Sequence, residues 1–188
     1  EVNRLIISGY ALKKAILEEL PIRDLISSIP DIWYQNIDYE DKCVNEEVNI
    51  VEFSRNCLAY FLNELINIYG QDLKNEQWII EPLSNCIIAF CIMDTGIKKF
   101  KNIDSDSNHG KEVAKVLKLS ILDQYSAMIS NIKTISSHVD VKFKKNIEKE
   151  LNMQLDKFNY NHDRISLKQE IIEDFYRYEK YYLDKKGK

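Results

Sequence analysis

Ile87-Ile88-Ala89-Phe90-Cys91-Ile92-Met93-Asp94-Thr95-Gly96-Ile97 is apolar almost all round when wound at 3.6 residues per turn. A helix with no broad polar face belongs at the centre of a bundle, with other helices against it. The segment extends back to Asn75, which can cap a helix, and forward to about Lys101. Pro82 falls inside it; its missing N–H leaves the Trp78 carbonyl without a partner and predicts a bend there.

Helical signals continue on both sides. After a polar loop over residues 102–110, residues 111–136 carry Val113, Val116, Leu117, Ile121, Tyr125, Met128 and Ile132 as one stripe. Upstream, residues 45–69 place Val51, Leu58, Phe61, Leu62, Leu65 and Ile66 on a wide apolar face. Asn45 offers an N-cap, Glu46 and Glu47 complement the helix dipole, and Gly70 stops the helix. These three helices are long enough to pack as an antiparallel bundle. A helix over residues 3–20 has Leu5, Gly9, Leu12, Ile16 and Leu20 on one face, with Gly9 allowing close helix contact and Pro21 ending it.

Residues 22–44 hold a short turn over 23–29, Pro30, and an acidic, aromatic connector through Trp33, Tyr34 and Tyr39. With Trp33, Tyr34 and Ile37 to cover, this connector is expected to lie along a surface. Two more helices are expected over 141–158 and 165–184, and residues 185–188 should fray. Five Gly, three Pro and no sustained period of two leave little room for strands. The expected fold class is all-α, a helical bundle of about five to six helices in antiparallel up-down packing.

The chain has 188 residues, enough for one core, and 45% hydrophobic with 30% charged residues puts it in the globular range. A net charge of −4 without a basic cluster argues against nucleic acid as partner. No uninterrupted apolar run approaches the ~18 residues of a membrane span, and the opening residues lack a signal-peptide layout. Cys43, Cys57, Cys86 and Cys91 have no Cys-x-x-Cys spacing and read as small buried hydrophobes in a reducing, cytoplasmic compartment.

Glu1-Val2-Asn3-Arg4, followed by Leu5-Ile6-Ile7, Gly9, Leu12 and Lys13-Lys14, resembles the run-on from the catalytic Glu-Gly-Thr-Asn segment of acyl-CoA dehydrogenases. Asn75-Glu76-Gln77-Trp78-Ile79-Ile80, then Leu83-Ser84-Asn85 and an apolar stretch to Met93-Asp94, is similar to the added C-terminal helical domain of the very-long-chain type and its bacterial relatives. Pro82 departs from that pattern, and beyond about Ser137 the likeness is loose.

The resemblance implies a C-terminal fragment whose catalytic glutamate lies about four residues before Glu1. It divides the chain into residues 1–21, the last helix of the catalytic helical domain, 22–44, a linker, and 45–188, the added α-helical domain. It implies FAD in the full-length enzyme, not on this fragment, with Glu1 as the one cofactor-binding position and no catalytic or metal residue in the chain. The implied activity is α,β-dehydrogenation of long-chain acyl-CoA in fatty acid β-oxidation, in which this piece serves assembly and packing. Implied partners are the rest of the catalytic domains and a second copy in a homo-oligomer. Membrane association is not expected, because no strongly basic amphipathic helix is present. A stand-alone helical protein-interaction module is the alternative.

Three further patterns favour plain readings. Asp104, Asp106 and Asn108 alternate as in a calcium loop, but Gly110 comes one place late and Lys115 stands where a bidentate Glu is needed. His109, His138 and His162 share no helical face with an acidic partner at ligand spacing and read as surface or capping residues. Ile171, Phe175, Tyr178 and Tyr182 form one stripe of a packing helix.

Overall fold

The computed structural model describes residues 2–17, 19–20, 22–28, 33, 36–39, 42–139, 141–157, 160 and 162–178. Seven α-helices and no strand occur among them: α1 (Val2–Ile16), α2 (Ile22–Ser28), α3 (Asn45–Tyr69), α4 (Gln77–Phe100), α5 (Asn108–His138), α6 (Val141–Lys157) and α7 (Arg164–Tyr178). Short 3-10 turns at Lys42–Val44 and Gly70–Asn75 lead into α3 and α4. The helical bundle expected from the sequence is present.

The α4–α5 pair is its most extensive contact. Asn85 Nδ2 donates to Asn131 Oδ1 at one end, Cys86 Sγ meets the Met128 carbonyl at 3.6 Å, and Gly96 faces Leu117 at the other, so the two helices run antiparallel. A Cβ on Gly96 would come within 2.7 Å of Leu117 Cδ1, so this glycine sets how closely the helices approach. Met128, Ile132 and Ile135 of α5 and Ile79, Leu83 and Met93 of α4 are buried in the seam. From α3, Phe53, Phe61 and Leu65 close the same core.

The quoted stretch is less enclosed than its apolarity predicts. Ala89, Met93 and Ile97 are buried, whereas Cys91 and Ile92 are exposed. Among the described residues α4 is the one helix long and apolar enough to cross a membrane. Its contacts with α1, α3 and α5 give it the surroundings of a bundle helix. It runs on through Pro82.

Helix boundaries shift for local reasons. Asn45 does not cap α3: its Oδ1 accepts from the Tyr39 backbone N–H at 2.7 Å, and Val44 holds the cap position without a side-chain bond. Asn75 ends the 3-10 turn, and Glu76 takes the cap position of α4. Gly70, with φ +54°, ends α3 as the sequence predicts. At α5, Ser107 Oγ accepts from the Gly110 N–H at 2.9 Å, so the helix starts inside the expected loop. In that loop Asp104 Oδ1 accepts from the Asp106 N–H, and the Ser107 hydroxyl donates to the Asp104 carbonyl. The Asp104–Asn108 alternation is therefore a capped turn.

Helix α1 rests on α4, with Ala15 against the core, and ends at Ile16 rather than Leu20. Gly9 is exposed, with nothing within 4 Å of a Cβ built on it, and Leu20 is exposed too. Ile7, Ala11, Lys14 and Ala15 are half-buried, while the side chains of Leu5, Leu12 and Ile16, the rest of the expected face, lie outside the described residues. Ile6 (60% exposed), Tyr10 (63%) and Leu17 lie uncovered.

The described part of the connector lies along the bundle as expected, exposed at residues 36–38 and pinned at Trp33 and Ile37. Trp33 is 4% exposed, packs its ring at a tilt against Tyr60 with centroids 4.7 Å apart, donates its backbone N–H to Gln154 Oε1 and accepts at its carbonyl from Asn56 Nδ2. Buried Asn49 pairs with both the N–H and the carbonyl of Ile37. Tyr34 lies outside the described residues.

Helix α7 packs on α5 through Lys115, whose Nζ meets Asp174 at 2.8 Å and Glu170 at 3.4 Å. Both carboxylates raise the Lys115 pKa, the hydrogen bond to Asp174 foremost. Of the expected aromatic stripe Phe175 is exposed, with Ile165, Ile172 and Tyr176, because the inward face carries Asp174 instead. Tyr182 lies outside the described residues.

Gly110 is the tightest backbone site: a Cβ there would overlap the Asp104 carbonyl and come within 2.8 Å of Ser105 Cα. Gly110→Ala is expected to cost about 1–3 kcal/mol, read as a lower urea midpoint at unchanged m-value.

Candidate functional site

Glu1, the one position that the resemblance assigns to cofactor binding, lies outside the described residues, and the side chains of Asn3 and Arg4 are not described either. Among the described residues a cluster of titratable groups lies where the start of α3 meets the connector between α6 and α7. Glu46 and Glu47 stand in the first turn of α3, and Tyr160 and His162 come from the connector. Glu47 is 1% exposed. The Tyr160 hydroxyl donates to Glu47 Oε1 at 3.1 Å. His162 Nε2 lies 3.2 Å from Glu46 Oε2 and 3.6 Å from Glu47 Oε1. The His162 ring meets the Tyr160 ring edge-on at 4.7 Å, and Tyr160 in turn packs edge-on against Tyr125.

Burial dominates the electrostatics. Desolvation pushes the Glu47 carboxyl above its ordinary range, while Lys118 and the hydrogen bond from Tyr160 pull the other way. Tyr160 is pushed far up by its own burial first and by the Glu47 charge second. The phenol is therefore a fixed donor at neutral pH.

The other histidines stand apart. His138, at the exposed end of α5, places Nδ1 at 2.9 Å from the Thr134 carbonyl and its ring beside Trp78. His109 keeps Nδ1 buried, one turn from buried Glu112. None of the four cysteines forms a disulfide. Cys57 and Cys86 are the buried hydrophobes expected, with burial pushing the Cys86 thiol up to about 12, but Cys91 is exposed on the uncovered side of α4. Sequence spacing separates His162 from Glu46 and Glu47 by most of the chain, so it could not bring them together.

No family model matches the chain, and no curated protein matches it in sequence. Among solved structures it is similar to the crystal structure of an acyl-CoA dehydrogenase complexed with FAD from Bacillus anthracis, with a TM-score of 0.77 and 16% sequence identity. That match covers 95% of this chain and 30% of the other, so the chain spans less than a third of that protein's length. At this identity the likeness shows the fold: an arrangement of helices that occurs within an acyl-CoA dehydrogenase.

The Glu47 carboxyl sets a pH dependence. Burial lifts its folded pKa above the ordinary carboxylate value, so the folded chain holds that proton more tightly than the unfolded chain. The stability it contributes is complete below about 4.5 and is lost as pH rises through the folded value. In metal-free buffer Glu47→Gln should therefore gain on the parent chain as pH is raised from 4.5 to 8, measured by urea unfolding. Tyr160→Phe should cost about 1–3 kcal/mol at pH 7 by leaving a buried carboxylate without its donor.

Proposed function

We propose that this chain is the C-terminal helical portion of a FAD-dependent acyl-CoA dehydrogenase of the very-long-chain type, an oxidoreductase of long-chain acyl-CoA in fatty acid β-oxidation. The observation that carries the reading is the fold correspondence with an acyl-CoA dehydrogenase over 95% of the chain. The part left out, about 9 of 188 residues, is shorter than the 15-residue α1, so the match takes in part of α1 as well as the later helices. Two sequence stretches, residues 1–14 and 75–94, independently resemble the same family.

In this reading residues 1–21 complete the catalytic helical domain, 22–44 link, and 45–188 form the added domain. The exposed Ile6, Tyr10 and Leu17 fit a helix that packs on its own bundle by one side and on the rest of the enzyme by the other. The described residues hold no Gly-rich phosphate cradle, so FAD is assigned to the rest of the enzyme, with Glu1 at its margin. The carboxylate that removes the α-proton is likewise assigned to the catalytic domains, where a closed pocket can desolvate it. FAD supplies the hydride acceptor when bound. The present helices contribute packing, homo-oligomer assembly and, with their free thiols, suit a cytoplasmic enzyme.

The test is the protein expressed from the native gene with its upstream coding sequence. It should purify yellow and bleach when a long-chain acyl-CoA is added. A folded, colourless and unresponsive product would overturn the reading in favour of a helical interaction module.

A further inference from the structure

Glu46, Glu47 and His162 present three donor atoms to one point. Each offers one ligand atom, a carboxylate oxygen or a ring nitrogen, and the three lie within 4.8 Å of one another. The nitrogen-to-oxygen separations are 3.2 and 3.6 Å. Zinc held tetrahedrally at bonds of about 2.0–2.1 Å sets its ligand atoms about 3.3 Å apart, so both separations lie close to an edge of that tetrahedron.

His162 Nε2 is itself buried and has no aligned hydrogen-bond partner, although Glu46 Oε2 is only 3.2 Å away. Two ligand atoms of one cation stand at such a distance without a hydrogen bond between them. An ordinary His–Glu hydrogen bond would instead be aligned. The supporting groups are in place as well. Tyr160 donates to Glu47 Oε1 and its ring abuts the His162 ring, which fixes both ligands. Glu47 is nearly inaccessible to water, with Lys118 as an opposing charge, and a cation at this point would supply the counter-charge that burial withholds.

We propose that Glu46, Glu47 and His162 bind one divalent cation of the zinc class, tying the α6–α7 connector to the start of α3. The donor set of one imidazole and two carboxylates suits zinc. Three protein ligands leave one coordination position, on the side of half-exposed Glu46, for water. Tyr160 is a positioning residue.

The probe is zinc ion added to the chelator-treated chain carrying Cys91→Ser, which removes the exposed thiol as a competing ligand. Calorimetric titration should give one zinc per chain, and saturation should raise the thermal midpoint. His162→Asn and Glu46→Gln should each weaken binding by at least about 10-fold and shrink the rise in midpoint. Glu46 is half exposed, so Glu46→Gln keeps the fold and tests the site even where His162→Asn does not fold. Absence of a stoichiometric site in the parent, or equal affinity in folded Glu46→Gln, would overturn the proposal.

Discussion

The close antiparallel seating of α5 on α4 is the constraint on which the other helices depend. It takes both a long apolar stripe on α5 and a residue without a side chain at Gly96, where Leu117 fills the space a Cβ would need. Once the two are paired, Ile79, Leu83, Met93, Met128, Ile132 and Ile135 are dry, and the surfaces left over define where α3, α1 and α7 can rest. Interiors packed at crystal-like density respond to a shift in one pair by moving everything seated on it.

Around that apolar seam the fold is closed by a few polar side chains that satisfy the backbone. Asn49 gives Ile37 both hydrogen bonds that a neighbouring strand would have given, Gln154 and Asn56 do the same for Trp33, and Asn45 accepts from the Tyr39 N–H. A buried backbone group without a partner is costly, so an irregular segment can enter the core only with such partners. That is how Trp33, Ile37 and Tyr39 are held against the bundle without regular secondary structure of their own.

Much of the bundle was legible from the sequence because helix existence depends on periodicity, a local property. The α5 stripe from Leu117 to Ile132 and the Gly70 stop are of this kind. Asn45 and Asn75 were read as caps by residue type alone; the side chain of Asn45 was taken by a residue six positions upstream, a competition no local rule contains. The outward turn of Phe175 was hidden for a similar reason, since Asp174 wins the inward position through Lys115 on another helix. The Glu47–Tyr160–His162 cluster was beyond sequence reasoning altogether: its parts are joined only by the path of α5 and α6 around the core.

The two tryptophans occupy opposite environments. Trp33 is sealed in the core over Tyr60, while Trp78 is 41% exposed at the helix ends, with its indole N–H on Glu76 and its ring beside His138. Indole emission moves to the red as its surroundings become polar, so the native chain emits from two spectrally distinct sources. One reports on the seating of the connector, the other on the meeting of the α4 and α5 ends. The protein thus carries an intrinsic optical readout that separates release of the connector from opening of the bundle.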